Sequence, residues 1–115
     1  MSYMLLIVEA PGQRLERGHE AGQGAYDHML GYARSLEERG VLLAVNSLKS
    51  AGARLSIRGG KRQVVDGPFA EANELVGGFF LLNVKSRDEA LALAAECPAA
   101  HWATIEVREI GPCYE

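Results

Sequence analysis

The chain has 115 residues, of which 48% are hydrophobic and 23% charged, and its formal net charge is −3. This length predicts a single domain over residues 1–115, and the composition excludes a disordered or low-complexity chain. A slightly acidic chain whose longest basic cluster is Lys61-Arg62 is not typical of nucleic-acid-binding proteins, so we expect no direct nucleic-acid partner.

The first predicted elements are a strand, a loop and a helix. Residues 3–8 form a continuous apolar run that indicates a central strand buried on both faces. The run is too short to span a bilayer and lacks the features of a signal peptide, so we expect a cytoplasmic protein with no membrane contact. Residues 12–23 are polar and contain glycine, which predicts a long loop. From about Ala25 to Arg39 the apolar residues have helical spacing, and Gly40 follows as a helix-ending residue.

A second buried strand is predicted over residues 41–45, and a tight hairpin follows it. Gly59 and Gly60 separate two strand-forming runs, a spacing that favours a two-residue hairpin loop. With these two glycines as the loop, the register pairs Arg58 with Lys61, Leu55 with Val64 and Ala53 with Asp66. Because side chains alternate along a strand, Asp66 becomes the last residue on the apolar, inward face of the hairpin.

The rest of the chain repeats the strand–helix–strand pattern. Residues 78–84 predict a strand, Ser86 and Glu89 match a capping box, and the helix ends before Pro98. The last strand, residues 103–108, places Glu106 and Arg108 on the face opposite its apolar residues. Two such units with a hairpin between them predict an α+β, ferredoxin-like domain: an antiparallel sheet with two helices on one face and an inserted β-hairpin.

The cysteines and histidines give no metal or redox pattern. Cys97 and Cys113 lack the spacing of a zinc knuckle or a redox pair, which predicts two reduced thiols. The three histidines are scattered, without the spacing of helical metal ligands. We therefore expect neither a metal nor a cofactor.

The segment that follows the hairpin is the most distinctive in the chain. Asp66-Gly67-Pro68-Phe69-Ala70-Glu71 ends the strand with a sharp turn, and Gly77-Gly78-Phe79 opens the next strand. Together with Gly40-Val41-Leu42, Asp88-Glu89-Ala90-Leu91 and Ile105-Glu106-Val107-Arg108, in the same order, this segment resembles the DGPF branch of the YCII-related family. The chain differs from the common pattern at Asn73, where relatives often have lysine, and at Asn46, where they often have an acid.

The resemblance implies a bacterial protein that forms a homodimeric α+β barrel, in which two ferredoxin-like sheets face each other. It also implies an association of some members with extracytoplasmic-function sigma factors. In the wider family a histidine of the first helix and an aspartate are suggested as an active pair, and His28 lies near the position of that histidine. The family is largely without assigned reactions, so the resemblance names no substrate.

Two functions remain open for the candidate site. In the first, Asp66 at the mouth of a cleft acts as a general base, with His28 as its catalytic partner, on an unknown small molecule. The expected ligand-binding residues of that cleft are Phe69, Glu71, Phe79, Glu106 and Arg108. In the second, the protein is a non-catalytic ligand-binding or regulatory module, Asp66 belongs to a rigid turn, and Glu106 and Arg108 form an ion pair.

Overall fold

The structure is a computed structural model that describes residues 2–67 and 73–114. Its elements follow the chain in the order β1 (Tyr3–Glu9), α1 (Gln13–Arg17), α2 (His19–Glu38), β2 (Leu42–Ser47), β3 (Ala53–Arg58), β4 (Lys61–Asp66), β5 (Leu75–Leu82), α3 (Arg87–Ala95), a short 3-10 helix (Pro98–His101) and β6 (Thr104–Glu109).

The main sheet has four strands in the order β2-β5-β1-β6, and every neighbouring pair is antiparallel. The two strands of each strand–helix–strand unit are therefore two positions apart, with one strand of the other unit between them. This interleaving is the ferredoxin-like arrangement, so the predicted α+β architecture is confirmed.

The core lies on one face of this sheet, where both long helices pack. Tyr32 and Leu36 of α2 and Ala90 and Ala94 of α3 are buried in the same cluster as Leu5 of β1. The Tyr32 hydroxyl donates to the Leu93 carbonyl at 2.6 Å, and its ring meets Phe80 edge-on with centroids 5.1 Å apart. Burial raises the pKa of the Cys97 thiol beneath α3, which keeps this sulfur protonated.

The other face of the sheet is open in the single chain. Along β1 the residues alternate between buried and half-buried, with Met4, Leu6 and Val8 on the open side. Leu81 of β5 lies opposite Met4, and Glu106 and Arg108 of β6 lie on the same face. The expected central position of β1 is confirmed, but the expectation that both its faces are buried is wrong for one chain, because helices cover only one side.

Residues 12–23 are largely helical, so the predicted long loop is wrong. Gly12 and Gly18, both with positive φ, bound α1, and α2 begins at His19 rather than near Ala25. Each glycine destabilises a helix by roughly 1 kcal/mol relative to alanine, so Gly22 and Gly24 make the start of α2 look non-helical in the sequence. Contacts of α1 with the ends of β1, β5 and the residues after β2 override this local preference.

The hairpin has the predicted register but not the predicted burial. Ala53 pairs with Asp66 and Leu55 with Val64, while Gly59 and Gly60 have φ of 58° and 75°, as a tight two-residue turn requires. The strands form a separate two-stranded sheet, in which Leu55 is 57% exposed and Ile57 is 62% exposed. The apolar face of the hairpin does not contribute to the core, so the expected inward orientation of Asp66 is wrong.

The N-cap of α3 provides a test of the capping box found in the sequence. Ser86 Oγ accepts from the Glu89 amide at 3.1 Å, and Glu89 Oε2 accepts from the Lys85 amide at 3.4 Å. We expect Ser86→Ala to lower the free energy of unfolding by about 1 kcal/mol, since one amide of the first turn loses its partner. Urea denaturation measures this change. Ser56→Ala removes the same atom from a hairpin serine, and an equal loss there would contradict a capping effect.

Candidate functional site

A cleft of about 610 Å³ opens between the N-terminal half of α2 and one end of the main sheet. This volume lies within the range of about 300–1,000 Å³ that small-molecule sites usually have. Ile7, Val45 and Phe80 contribute apolar atoms from the sheet, and Met29 and Leu30 contribute them from α2. The cleft is thus a largely apolar space next to a few polar groups.

The cleft exists because α2 packs closely on the sheet through only one of its halves. Tyr32 and Leu36, in the C-terminal half, are buried against the sheet. Nearer the start of α2, Gly22 and Ala25 line the cleft and are too small to fill the space above the strands, while Tyr26 is exposed. The cleft thus extends along α2 from His19 to Ala33, and the buried core contacts of this helix lie at Tyr32 and Leu36.

An ion pair between a buried carboxylate and a partly exposed arginine closes one end of the cleft. Glu9, the last residue of β1, is 7% exposed, and Arg14 Nε of α1 lies 2.6 Å from its Oε1. Arg14 also donates to the carbonyls of Leu48 at 2.5 Å and Gly77 at 3.1 Å. A buried carboxylate requires such compensation, because removing one partner of a buried pair costs several kcal/mol. The Arg14 side chain thus connects α1, β1, β5 and the segment after β2.

The paired glycines at positions 77 and 78 make room for this arrangement. A Cβ on Gly77 would lie 2.6 Å from Glu9 Oε2 and 2.7 Å from Arg14 Nη2. A Cβ on Gly78 would lie 2.9 Å from the Asn46 carbonyl oxygen on β2. Distances below 3.0 Å are not compatible with normal packing, so both positions exclude a side chain for reasons of space.

A second arginine and an aromatic ring lie next to the ion pair. The Arg17 guanidinium lies 5.5 Å from the centroid of the Trp102 ring, within the range of a cation–π contact. Both residues line the cleft, as do His19 and Tyr26 of α2. Arg17 Nη2 is buried, and it has no hydrogen-bond partner among the residues that the structure describes. The cleft thus has a polar end beside an apolar floor.

A second cavity, of about 410 Å³, lies at the base of the hairpin. Its walls include Lys49, Ala53 and Glu74, and it shares Glu9, Arg14 and Gly77 with the first cleft. The Glu9–Arg14 pair is therefore part of the boundary between the two spaces.

The predicted site residues are distributed over separate parts of the molecule. Phe79 lines the cleft under α2. Asp66 and His28 are exposed and line neither cavity, and no hydrogen bond joins them within the described part of the chain. Phe69 and Glu71 lie outside the described residues. The catalytic roles of Asp66 and His28, and a cleft formed beside Asp66 with Phe69, therefore stay predictions.

Glu106 and Arg108 lie on the open face of the main sheet rather than in the cleft. Arg108 Nε is 4.0 Å from Glu106 Oε2, and both side chains are more than half exposed. An exposed pair at this separation contributes little to stability. In the single chain, the interpretation of these two residues as an ion pair therefore fits better than their interpretation as residues that line a ligand cavity.

The residues that the sequence analysis missed are Glu9, Arg14 and Arg17. Arg14 and Arg17 fall in the segment predicted as a loop, whose unusual length was the only signal of a function there. Glu9 was overlooked because it follows an apolar run, where a charge usually marks the end of a strand. An acid in the last position of a buried strand, with arginines a few residues later, is the pattern that could have indicated this end of the cleft.

Comparison with known proteins assigns the family. The family model for the YCII-related domain matches residues 1–113, so the chain belongs to the YCII-related family. An uncharacterized protein of Rhizobium meliloti (strain 1021) is 41% identical over 63 residues, and this alignment covers 53% of the present chain and 51% of the relative. The match thus spans about half the length of that curated relative, and its printed name assigns no activity.

Two further properties of the described residues concern metals and membranes. Within residues 2–67 and 73–114, no group of three or more His, Cys, Asp or Glu residues is arranged to hold a metal ion. In the same part of the chain, no helix combines the length and the apolar character needed to cross a membrane.

The close approach at Gly77 can be tested by adding one methyl group. We expect Gly77→Ala to lower the free energy of unfolding by about 1–3 kcal/mol, because the new Cβ must displace the buried Glu9–Arg14 pair. Chemical denaturation measures the loss. Gly111→Ala is the matched control, since no atom lies within 4 Å of its added Cβ, and we expect a change within about 0.5 kcal/mol. Equal stability of the two variants would show that the pair does not require the space at Gly77.

Proposed function

We propose that this YCII-related protein binds a small molecule in the cleft between α2 and the main sheet. One observation carries the proposal: a cleft of about 610 Å³ with an apolar floor has polar groups concentrated at one end, which is the usual composition of a ligand site. The fold alone would not support this conclusion, because the same architecture serves many functions. The proposal corresponds to a ligand-binding module of the YCII-related family.

Catalysis by acid–base chemistry without a cofactor is the second candidate. His19, in the first turn of α2, lines the cleft, and an imidazole is able to accept and donate a proton. In this form of the proposal His19 takes the role that the sequence suggested for His28. Catalysis at Asp66 remains a separate proposal. Catalysis at Asp66 depends on the DGPF segment, and so does membership of the DGPF branch. A regulatory link to a sigma factor rests on the family resemblance alone.

We also propose that the protein is a homodimer in which the open faces of two main sheets meet. The support is the apolar character of this face, which includes Met4, Leu6, Val8 and Leu81 in a half-buried state. Contiguous apolar surface on one side of a sheet usually marks an interaction site, and a second identical sheet matches it in shape. The resulting assembly is the α+β barrel that the resemblance implied.

Ligand binding in the cleft can be tested by filling it without disturbing the fold. Gly22 lines the cleft, and no atom lies within 4 Å of a Cβ added there. We expect Gly22→Leu to reduce or abolish the rise in melting temperature that a binding compound produces, because the leucine occupies the space of the ligand. The measurement is a thermal-shift screen of small organic acids, amines and neutral compounds with wild type and variant.

Gly24→Leu is the matched control for this experiment. Gly24 lies in the same helix with equal space around its Cβ, but it does not line the cleft. Both substitutions favour the helix, so they should stabilise the free protein by up to about 1 kcal/mol. Asp66→Asn should leave binding in the cleft unchanged. Ligand shifts that survive in Gly22→Leu, or that disappear in Asp66→Asn, would refute binding in this cleft.

The dimer is tested by placing a charge on the open face. Ala44 of β2 lies beside Leu81 on the edge of this face, and we expect Ala44→Glu to convert the dimer to monomer, because two buried carboxylates would have no partners. Light scattering at micromolar concentration measures the mass. Ala92→Glu adds the same charge at an exposed position of α3, on the helical side of the sheet, and should remain dimeric. A monomeric wild-type protein would contradict the proposal.

A further inference from the structure

Among the described residues that line the cleft, one cation, Arg17, has no countercharge. Glu9 is the acid among the lining residues, and the 2.6 Å contact with Arg14 occupies it. Arg17 lines the same end of the cleft, and no ion pair joins it to another described residue. The described residues at the polar end of the cleft therefore carry a net positive charge, which favours an anion and disfavours a cation.

The hydrogen-bond state of Arg17 also indicates a missing acceptor. Its Nη2 atom is buried, and among the residues that the structure describes it has no partner. Buried charged donors without an acceptor are strongly unfavourable, so such groups normally bind a carboxylate, a phosphate or water. The contact with Trp102, at 5.5 Å, holds the flat guanidinium group in place but supplies no hydrogen-bond acceptor.

The remainder of the cleft limits what can be attached to the anionic group. Met29, Leu30 and Ala33 of α2 face Ile7 and Phe80 of the sheet across the apolar part. A strongly hydrated molecule with several charges would lose its water on this surface without compensation. A compact hydrocarbon or aromatic body would instead exchange water for apolar contacts.

We infer that the ligand of the cleft is a small organic anion, with an acid group bound by Arg17 and an apolar body lying over the sheet between α2 and Trp102. This inference rests on the proposed function and specifies the class of its ligand. A guanidinium group binds a carboxylate through two parallel hydrogen bonds, so a monocarboxylate of this kind fits the site best.

The test uses matched acids and amides, which differ in charge but hardly in shape. The compounds are 3-phenylpropionate, indole-3-acetate and 4-methylpentanoate, each with its primary amide, and calorimetry measures their dissociation constants for the full chain. We expect each acid that binds to do so at least about tenfold more tightly than its amide. Arg17→Met should remove this preference while leaving the amide affinity within about twofold, because methionine keeps the apolar stem of the side chain.

Two further variants separate the role of Arg17 from general effects. Arg34→Met removes an exposed arginine from α2 that does not line the cleft, and the acid preference should persist in it. Arg17→Lys retains the charge but not the paired donors, and should retain part of the preference. Melting curves of each free variant verify that the fold is intact.

The outcomes distinguish this inference from the proposed function. If acids and amides bind equally, and Gly22→Leu abolishes both, the cleft binds small molecules but the anion inference is wrong. The same conclusion follows if Arg17→Met retains the full acid preference. If none of the six compounds binds, the inference fails for this ligand class, and the broader thermal-shift screen then decides whether the cleft binds any small molecule.

Discussion

The ion pair that the buried Glu9 carboxylate forms with Arg14 is the constraint on which the arrangement of the cleft depends. A carboxylate that is 7% exposed at the end of β1 is tolerable only with a cation beside it, and Arg14 supplies this cation together with two bonds to backbone carbonyls. The pair holds α1 against the sheet, and α1 leads directly into α2 through Gly18. The position of Arg17 therefore follows from this one interaction, as does the start of the helix that forms the roof of the cleft.

The core contacts of α2 and the widest part of the cleft lie toward opposite ends of this helix. Its C-terminal half contributes Tyr32 and Leu36 to the core, where the Tyr32 hydroxyl bonds to α3 and its ring contacts Phe80. Its N-terminal half has small residues toward the sheet and leaves a space of ligand size. Binding sites often have suboptimal packing, because the space that a ligand occupies cannot also be filled by side chains of the protein. The glycines of α2 are consistent with this division.

Asp66, the first residue of the DGPF segment, and the cleft under α2 lie in different parts of the described structure. The DGPF segment follows a hairpin whose strands are exposed on both faces and form their own small sheet. A two-stranded sheet has marginal stability in water unless it packs against another surface. The hairpin thus stands apart from the core of the described fold, while the cleft lies between α2 and the main sheet. The second cavity, which shares Glu9 and Arg14 with the cleft, is the connection between these two regions.

Local sequence patterns determined the elements of this protein, and tertiary contacts decided its site. The Gly59-Gly60 turn and its register, the capping box of Ser86 and the stripe of Tyr32 and Leu36 follow from short-range geometry, so the sequence predicts them and the antiparallel fold correctly. The helical state of residues 13–17 and the exposed position of Asp66 do not follow from local patterns. Helix α1 depends on the hydrogen bond from Arg14 to the Gly77 carbonyl of β5, which is distant in the sequence. The exposure of Asp66 depends on the hairpin forming its own sheet, apart from the main sheet. Glu9, Arg14 and Arg17 are near one another in the sequence, but the contacts that fix them, from Arg14 to Leu48 and Gly77 and from Arg17 to Trp102, form only in the folded chain.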